Sequence, residues 1–340
     1  MANEVASGVF RSLSSGGDEI DGTLRPRSFD EFVGQGRAVS NLRTWIEAAR
    51  RRGSPLDHVL LSGPPGLGKT TLAHLVAGEL GQTLRVTSGP ALERAGDLVG
   101  LLTSLQPGDV LFIDEIHRLP RAVEEYLYAA MEDLAVDVVI DQGPAARSVR
   151  LSLAPFTLVG ATTREGLLSH AFRSRFGVLE KLQPYPPEDI ERILRLSAGR
   201  LGCVLDDDAA ALLAGRSRGV PRVANRLLRR MRDIAELAGG GLIGREVVDR
   251  GLAMLGIDAL GLEEMDRRLL AALAALGGGP AGLRALAVAV GEEEDTLELV
   301  YEPHLIRLGF LLRTSRGRQL TEAARRHIGA SAGAGGLFPA

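Results

Sequence analysis

The sequence predicts an α/β protein in three parts: a mainly parallel sheet with helices on both faces, a small all-helical domain, and a terminal module of helix, turn, helix and ribbon. Three observations carry that expectation. Short β-like runs alternate with helical segments from about residue 24 to 185. A proline-rich break at 184–187 (PYPP) then opens a stretch that reads as helix to about residue 256. Beyond it, helical runs precede two apolar segments around a Thr-Ser-Arg-Gly turn.

Taken in order, residues 1–22 are rich in glycine and serine and read as a disordered tail, with no basic region leading into an apolar stretch. A large domain is expected over 23–185, with strands at 58–62, 84–87, 110–114 and 157–161. The β-rich runs 136–140 and 148–153 flank turn chemistry at 141–147 (DQGPAAR), which fits a projecting hairpin or a pair of ordinary edge strands. Helices are expected at 187–201, 206–215, 221–238 and 245–255, with stops at Gly202, Gly219 and the 239–241 glycine run, giving a small domain over 186–256. Helices at 262–276, 282–290 and 292–308 and a ribbon at 310–320 follow the winged-helix order, over 257–330. Residues 331–340 read as a flexible tail.

Composition narrows the function classes. An apolar share of 45% supports real cores, and aromatics at 4% leave the packing to aliphatic side chains. No apolar run is long enough to span a membrane. Cys203 is the single cysteine, so no intrachain disulfide can form and the cytoplasm is the expected compartment. The net charge of −3 does not point to nucleic acid, but arginines gather at 216–232 and 313–326. Such patches fit DNA contact, phosphate binding or solvated helix faces.

Of the forty lysines and arginines, only Lys69 and Lys181 are lysine. Lys69 lies in 63–70 (GPPGLGKT), which meets every defined position of the phosphate loop, including Gly66 and Gly68. A strand before it and a helix after it place free N–H groups and a helix dipole around an anion. A compact ammonium suits the terminal phosphates of a nucleotide where a wider arginine fork does not. Thr70 is expected to carry its hydroxyl to Mg²⁺, and Thr71 to approach the α-phosphate.

Hydrolysis also needs carboxylates opposite that loop. The strand 110–114 delivers Asp114 to the Mg²⁺ shell and Glu115 to the attacking water, while His117 is expected to bond locally. The strand at 158–164 (LVGATTR) ends in polar residues, which places Thr163 near the γ-phosphate or the water. Arg222 falls in the first turn of a helix, against its dipole, and an unfavourable position of that kind points to phosphate contact.

Phosphate loop, Asp-Glu strand end, polar strand end, Ser-Arg pair (174–175) and Gly-x-x-Arg helix, in this order, resemble the AAA+ ATPases. More narrowly, 24–35 (LRPRSFDEFVGQ), 111–119 (LFIDEIHRL), 123–133 (VEEYLYAAMED), 143–148 (GPAARS) and 222–230 (RVANRLLRR) resemble the RuvB family of bacterial Holliday-junction branch-migration motors. The similarity runs from about residue 23 to 328. It implies an AAA+ P-loop domain, a helical lid and a DNA-binding winged helix. It further implies that Leu24, Arg25, Tyr185 and the turn of Glu132, Asp133 and Leu134 lie near ATP, that Arg175 is an arginine finger for the neighbouring subunit, and that Arg222 is the second sensor. By the same resemblance the hairpin residues Asp141, Gln142, Gly143 and Pro144 meet a RuvA-like junction-binding protein. The wing residues Arg313, Arg316 and Arg318 meet the phosphates of double-stranded DNA. A homo-oligomeric ring, a hexamer on DNA, and a RuvC-like resolvase in the larger complex complete the implied assembly.

Two stretches depart from the family pattern. Residues 171–177 read AFRSRFG where the family has PLRDRFG, and 292–302 carries six acids where the family tends to place an arginine near 294. Those acids should repel a duplex, so the wing is expected to meet DNA, through phosphates. A clamp-loader-type ATPase shares the nucleotide motifs but has a helical collar in place of a wing. A nucleotide-gated winged-helix regulator would need base readout, which the acidic helix opposes.

Overall fold

The apolar runs at 59–62, 110–114 and 157–162 become adjoining strands, and burial on both faces is why they are apolar along most of their length. In this computed structural model, which describes residues 22–139 and 148–332, β1 (Val59–Ser62), β2 (Leu84–Ser88), β3 (Val110–Asp114), β6 (Thr157–Thr162) and β7 (Val178–Lys181) form one sheet. Its order is β2–β3–β6–β1–β7, and every neighbouring pair is parallel. The fifth strand, β7, is absent from the sequence reading. It is a four-residue edge strand whose faces alternate, Val178 and Glu180 inward, Leu179 and Lys181 outward, so it lacks the continuous apolar signature of its neighbours.

Helices α1 (Gly36–Arg52), α2 (Lys69–Leu80), α3 (Ala95–Thr103), α4 (Arg121–Asp133) and the short α5 (His170–Arg173) precede or connect the strands. α1 and α2 both end on left-handed glycines, Gly53 and Gly81, whose amides return to the last turn. The main core lies where α3 and α4 cover the sheet: Leu98, Leu102, Val123 and Leu127 pack on Leu111, Ile113 and Leu158. Beside it, β4 (Ala135–Val139) and β5 (Ser148–Ser152) pair antiparallel, from Ala135↔Ser152 to Val139↔Ser148. The residues between them, including Asp141, Gln142, Gly143 and Pro144, lie outside the described residues.

The described chain folds as two units, 25–183 and 184–332 with the 22–24 turn. The carbonyl of Leu24 accepts a hydrogen bond from Arg200 Nη1 at 2.7 Å, and the Tyr185 amide donates to Gly219 O at 2.8 Å, which ties both residues to the second unit.

That second unit begins with the helical lid: α6 (Pro187–Leu201), α7 (Asp207–Arg216), α8 (Pro221–Leu237) and α9 (Arg245–Met254). On α8, Val223, Ala224, Leu227, Leu228, Met231 and Ala235 repeat at helical spacing and are all buried. The expected all-helical reading is corrected by a short parallel pair, β8 (Val204–Leu205) with β9 (Leu242–Ile243), too short to leave a pattern in sequence.

The winged helix follows, with α10 (Glu264–Ala275), α11 (Leu283–Val290) and the wing β10 (Leu311–Thr314) with β11 (Gly317–Leu320). The single helix expected at 292–308 is instead three pieces: α12 (Glu294–Thr296), a π-helical turn (Leu297–Tyr301) and α13 (Glu302–Arg307). Pro303 enters at the start of α13, and its missing N–H cannot serve the helical ladder behind it. After the wing, α14 (Glu322–Ala332) closes the described chain.

Candidate nucleotide and DNA sites

The phosphate loop owes its course to glycines. Gly63, Gly66 and Gly68 have φ of 138°, 79° and 102°, a region that side chains rarely enter. A Cβ on Gly63 would lie 2.6 Å from Leu182 O, so the loop also passes too close to the chain beyond β7 for any other residue. Gly68 opens α2, which puts Lys69, Thr70 and Thr71 in its first turn. The Lys69 side chain is buried, and its Nζ donates to the carbonyls of Gly63 (2.7 Å) and Pro64 (3.0 Å). An ammonium held by its own loop's carbonyls is poised for an incoming phosphate, a stronger acceptor.

Across the sheet, β3 ends at Asp114, and the next residue adopts a left-handed conformation: Glu115 has φ 47°. That conformation costs about 1–2 kcal/mol for a side-chain-bearing residue, so the surroundings must hold it. The Glu115 amide donates to Asp114 Oδ1 at 2.9 Å. Its carboxylate accepts from Thr163 Oγ1 at 3.0 Å and lies 3.2 Å from His117 Nδ1. His117 Nδ1 is also 3.0 Å from Thr162 Oγ1, which in turn accepts from the Arg164 amide. Gly89 makes the turn possible, because a Cβ there would meet Glu115 O at 2.4 Å. Burial pushes the Glu115 carboxyl up, and the neighbouring charge of Asp114 adds to the rise; Lys69, Thr163 and Arg118 oppose it.

Parallel strands β3 and β6 lie side by side, so the polar ends carrying Asp114–Glu115 and Thr162–Thr163 emerge together. The structure thus brings Lys69, Asp114, Glu115 and Thr163 to one edge of one unit. Arg25 also belongs there: its Nη1 donates to Nε2 of His74 on α2 at 3.0 Å. Burial, followed by the Arg25 charge, lowers the His74 pKa.

Arg175 keeps different company. Its Nη2 is 2.9 Å from Glu132 Oε1, its Nη1 donates to Ala171 O, and its guanidinium lies over the Tyr128 ring at 4.7 Å from the centroid. Asp133 pairs with Arg150 at 3.2 Å, and Leu134 closes α4 in a left-handed conformation (φ 49°). Arg175 and the Glu132–Leu134 turn are therefore one patch at the C-terminal end of α4. Tyr128 was not legible as a member of it, although it lies one helical turn before Glu132.

In the second unit, Leu24 and Tyr185 are buried and Arg222 is half-buried in the first turn of α8. On the wing, Arg313 and Arg318, the expected phosphate contacts, are both paired within the domain. Arg313 Nε donates to Glu302 Oε2 at 2.6 Å, and Arg318 Nε to Glu302 Oε1 at 2.8 Å, with Glu298 Oε1 3.4 Å from Arg318 Nη2. Glu302 is fully buried, and a carboxylate so placed needs cations at hand. Two of the six acids at 292–302, Glu298 and Glu302, thus pair with the wing's own arginines, while Arg316 sits exposed at the turn.

Three family models cover this architecture in sequence. Residues 24–182 match the Holliday junction DNA helicase RuvB P-loop domain, 185–258 the RuvB AAA lid domain and 259–329 the RuvB C-terminal winged helix domain. A Holliday junction branch migration complex subunit RuvB from Kosmotoga olearia is 55% identical over 315 residues, 92% of each chain. The chain belongs to the RuvB family. A RuvB subunit from Myxococcus xanthus is 58% identical over 310 residues, 91% of this chain and 90% of that one. The solved Thermotoga maritima RuvB Holliday junction branch migration motor superposes with a TM-score of 0.83 at 49% identity, covering 90% of this chain and 98% of the other. Membership makes the chain an ATP-binding, ATP-dependent DNA helicase of the RuvB branch-migration class. The clamp-loader and regulator readings fall away, since sheet, lid and wing all match one family.

Proposed function

We propose that this RuvB-family ATPase drives double-stranded DNA through a homo-oligomeric ring, hexameric on DNA, at Holliday junctions held by a RuvA-like partner. Glu115 orients a water against the γ-phosphorus of ATP and takes its proton as the new P–O bond forms. The bond to the bridging oxygen breaks, and ADP leaves with its charge countered by Lys69. Thr163, bonded to Glu115, keeps that carboxylate turned toward the water. Thr70 and Asp114 would hold Mg²⁺, which when bound spreads the charge of the β- and γ-phosphates. The donor set fits the ion: a hydroxyl in a helix's first turn and a carboxylate at a strand end, both oxygen ligands. Thr71, Leu24, Arg25, Tyr185 and Arg222 complete the nucleotide contacts.

The observation that carries the ring reading is the placement of Arg175. The charges acting on Glu115 are Asp114, Lys69 and Arg118, while Arg175 is engaged by Tyr128, Glu132 and Ala171. That supports a guanidinium offered outward, with the Glu132–Leu134 turn, to the nucleotide of a neighbouring protomer. Hydrolysis then depends on the closed assembly, because developing charge needs the neighbour's arginine. The hairpin at Asp141, Gln142, Gly143 and Pro144 would meet the RuvA-like protein, a RuvC-like resolvase would join the larger complex, and the setting would be cytoplasmic.

The test is a mixing experiment. Arg175→Ala and Lys69→Ala proteins, each inactive alone, should recover part of their DNA-stimulated ATP turnover when mixed. The finger is worth about 10³-fold or more in kcat, so recovery would be unmistakable. Undiminished turnover by Arg175→Ala alone would defeat the assignment.

A further inference from the structure

Between α7 and α8 the chain turns through two successive left-handed residues, Arg218 (φ 56°) and Gly219 (φ 66°). Glycine is required at the second, where a Cβ would lie 2.6 Å from Tyr185 O, and the Gly219 carbonyl accepts the Tyr185 amide at 2.8 Å. Arginine at the first is strained, and its side chain shows what holds it. The guanidinium is buried, 3% exposed, against the Asp266 carboxylate, which is 0% exposed, and forms a two-pronged ion pair with it. Nε donates to Gly261 O at 2.9 Å, and the Arg218 carbonyl accepts Arg307 Nη2 at 2.6 Å.

Every one of these partners belongs to the winged helix or the segment that opens it. Asp266 also accepts the Glu263 amide at 2.8 Å and so caps α10. Gly261 runs so close to the lid that a Cβ would be 3.0 Å from Arg216 O. The α10 helix carries the junction onward: it packs on wing strand β11, and Arg268 Nη2 donates to Val290 O at the end of α11 at 2.7 Å. Burial pushes the Asp266 carboxyl up, and Arg218 is the foremost influence opposing it. Apolar side chains of similar volume would hold such a junction at least as firmly, so its chemistry is not explained by stability. A two-pronged ion pair with further backbone bonds instead fixes one relative geometry.

Resting on the proposed function, we infer that Arg218 is a positioning residue that couples the phosphate-sensing turn at Arg222 to the DNA-gripping winged helix. Residues 218–222 form a strap. One end, Arg222, belongs to the residues assigned to the nucleotide, as does Tyr185, whose amide bonds Gly219 O. The other end, Arg218, is locked to Asp266 and through it to α10 and the wing. Movement of the Arg222 turn when the γ-phosphate leaves is thereby passed to the wing as a displacement of α10.

The test compares chemistry with motion in the full-length protein on four-way junction DNA with its junction-binding partner. Asp266→Asn and Arg218→Lys should lower the base pairs migrated per ATP by about tenfold, the scale on which coupling residues act, with ATP KM and DNA-free turnover within about twofold. The paired change Arg218→Met with Asp266→Leu leaves no unpaired buried charge, and it keeps the experiment decisive if a single variant folds poorly. Its melting temperature should match the parent's while its migration per ATP stays low. Parental migration per ATP in that well-folded pair would overturn the inference, as would an ATP KM that rises in step with the loss of migration. A parent protein that hydrolyses ATP but moves no junction would instead overturn the motor reading itself.

Discussion

The guanidinium of Arg175 lies over the ring of Tyr128, 4.7 Å from its centroid, while Tyr128 packs on Phe172 with centroids 5.1 Å apart and planes tilted by 41°. The ring therefore forms a platform, itself fixed by the core, under the cation proposed to meet transition-state charge. Tyr128→Leu should remove the platform and lower DNA-stimulated kcat by about three- to tenfold with ATP KM little changed, the worth of one partly shielded cation–π contact. Tyr128→Phe keeps the face and should retain most of the turnover. Equal losses in the two variants would show that the hydroxyl, bonded to Glu124 and Ser169, matters and the ring does not.

Thr163 presents a sharper case, because one hydroxyl links two polar strand ends. Its Oγ1 donates to Glu115 Oε2 at 3.0 Å. Thr163→Val preserves shape but leaves the carboxylate short of one donor. The expected loss is about 10- to 100-fold in kcat, from the roughly 1.5–3 kcal/mol of a hydrogen bond to a charged group. Single-turnover kinetics would place the loss in the chemical step; a change confined to KM would remove Thr163 from the water-orienting role.

On the wing, exposure and pairing separate the arginines. Arg316 is exposed at the turn, so Arg316→Ala should weaken DNA binding across all sequences and reduce the salt slope by about 0.9. Arg313→Ala should act mainly through folding, since it strips a cation from the buried Glu302. Titrations of a fluorescent duplex at several salt concentrations, alongside thermal melts, distinguish the two. If Arg313→Ala reduced the salt slope at unchanged melting temperature, its pairing with Glu302 would not persist on DNA.

A pH dependence follows from His304. Its Nδ1 faces Arg307 Nη2 at 3.1 Å, and a guanidinium can only donate, so Nδ1 accepts and Nε2 donates to Leu260 O at 3.0 Å. Burial, with the charges of Arg218 and Arg307, takes its pKa from the ordinary 6.5 down to about 3. The unfolded chain then binds a proton that the folded chain refuses. Stability is complete above pH 6.5 and falls as the pH drops toward 3. Between pH 6.5 and 5 one such group accounts for about 2 kcal/mol. Denaturant melts of the parent should show that loss, and His304→Gln should lack it, leaving the smaller slopes of His58 and His74, which are lowered by burial too. Identical slopes in parent and variant would contradict the assignment.

Much of this was legible because the relevant signals are local. A phosphate loop is a matter of glycines at positive φ and a lysine opening a helix, all within 63–70. Asp114–Glu115 and Thr163 could be read because parallel strands end their apolar runs where the crevice begins. Helices such as Pro187–Leu201 announce themselves by a proline start and a glycine stop.

What could not be read depends on partners distant in the chain. Glu180 is buried on an edge strand because Asn41 donates to it at 2.7 Å, and neither residue signals the other. Arg313 and Arg318 look alike in sequence to any DNA-binding arginine. Both pair with the buried carboxylate of Glu302, and only packing of α13 against the wing brings it there. Arg218 and Asp266 stand 48 positions apart, in a helix-capping loop and a helix's first turn, each with an ordinary local reading. Periodicity and spacing report on neighbours along the chain. Charge neutralisation in a buried place is decided by neighbours in space, and for this protein that is where nucleotide chemistry and grip on DNA are joined.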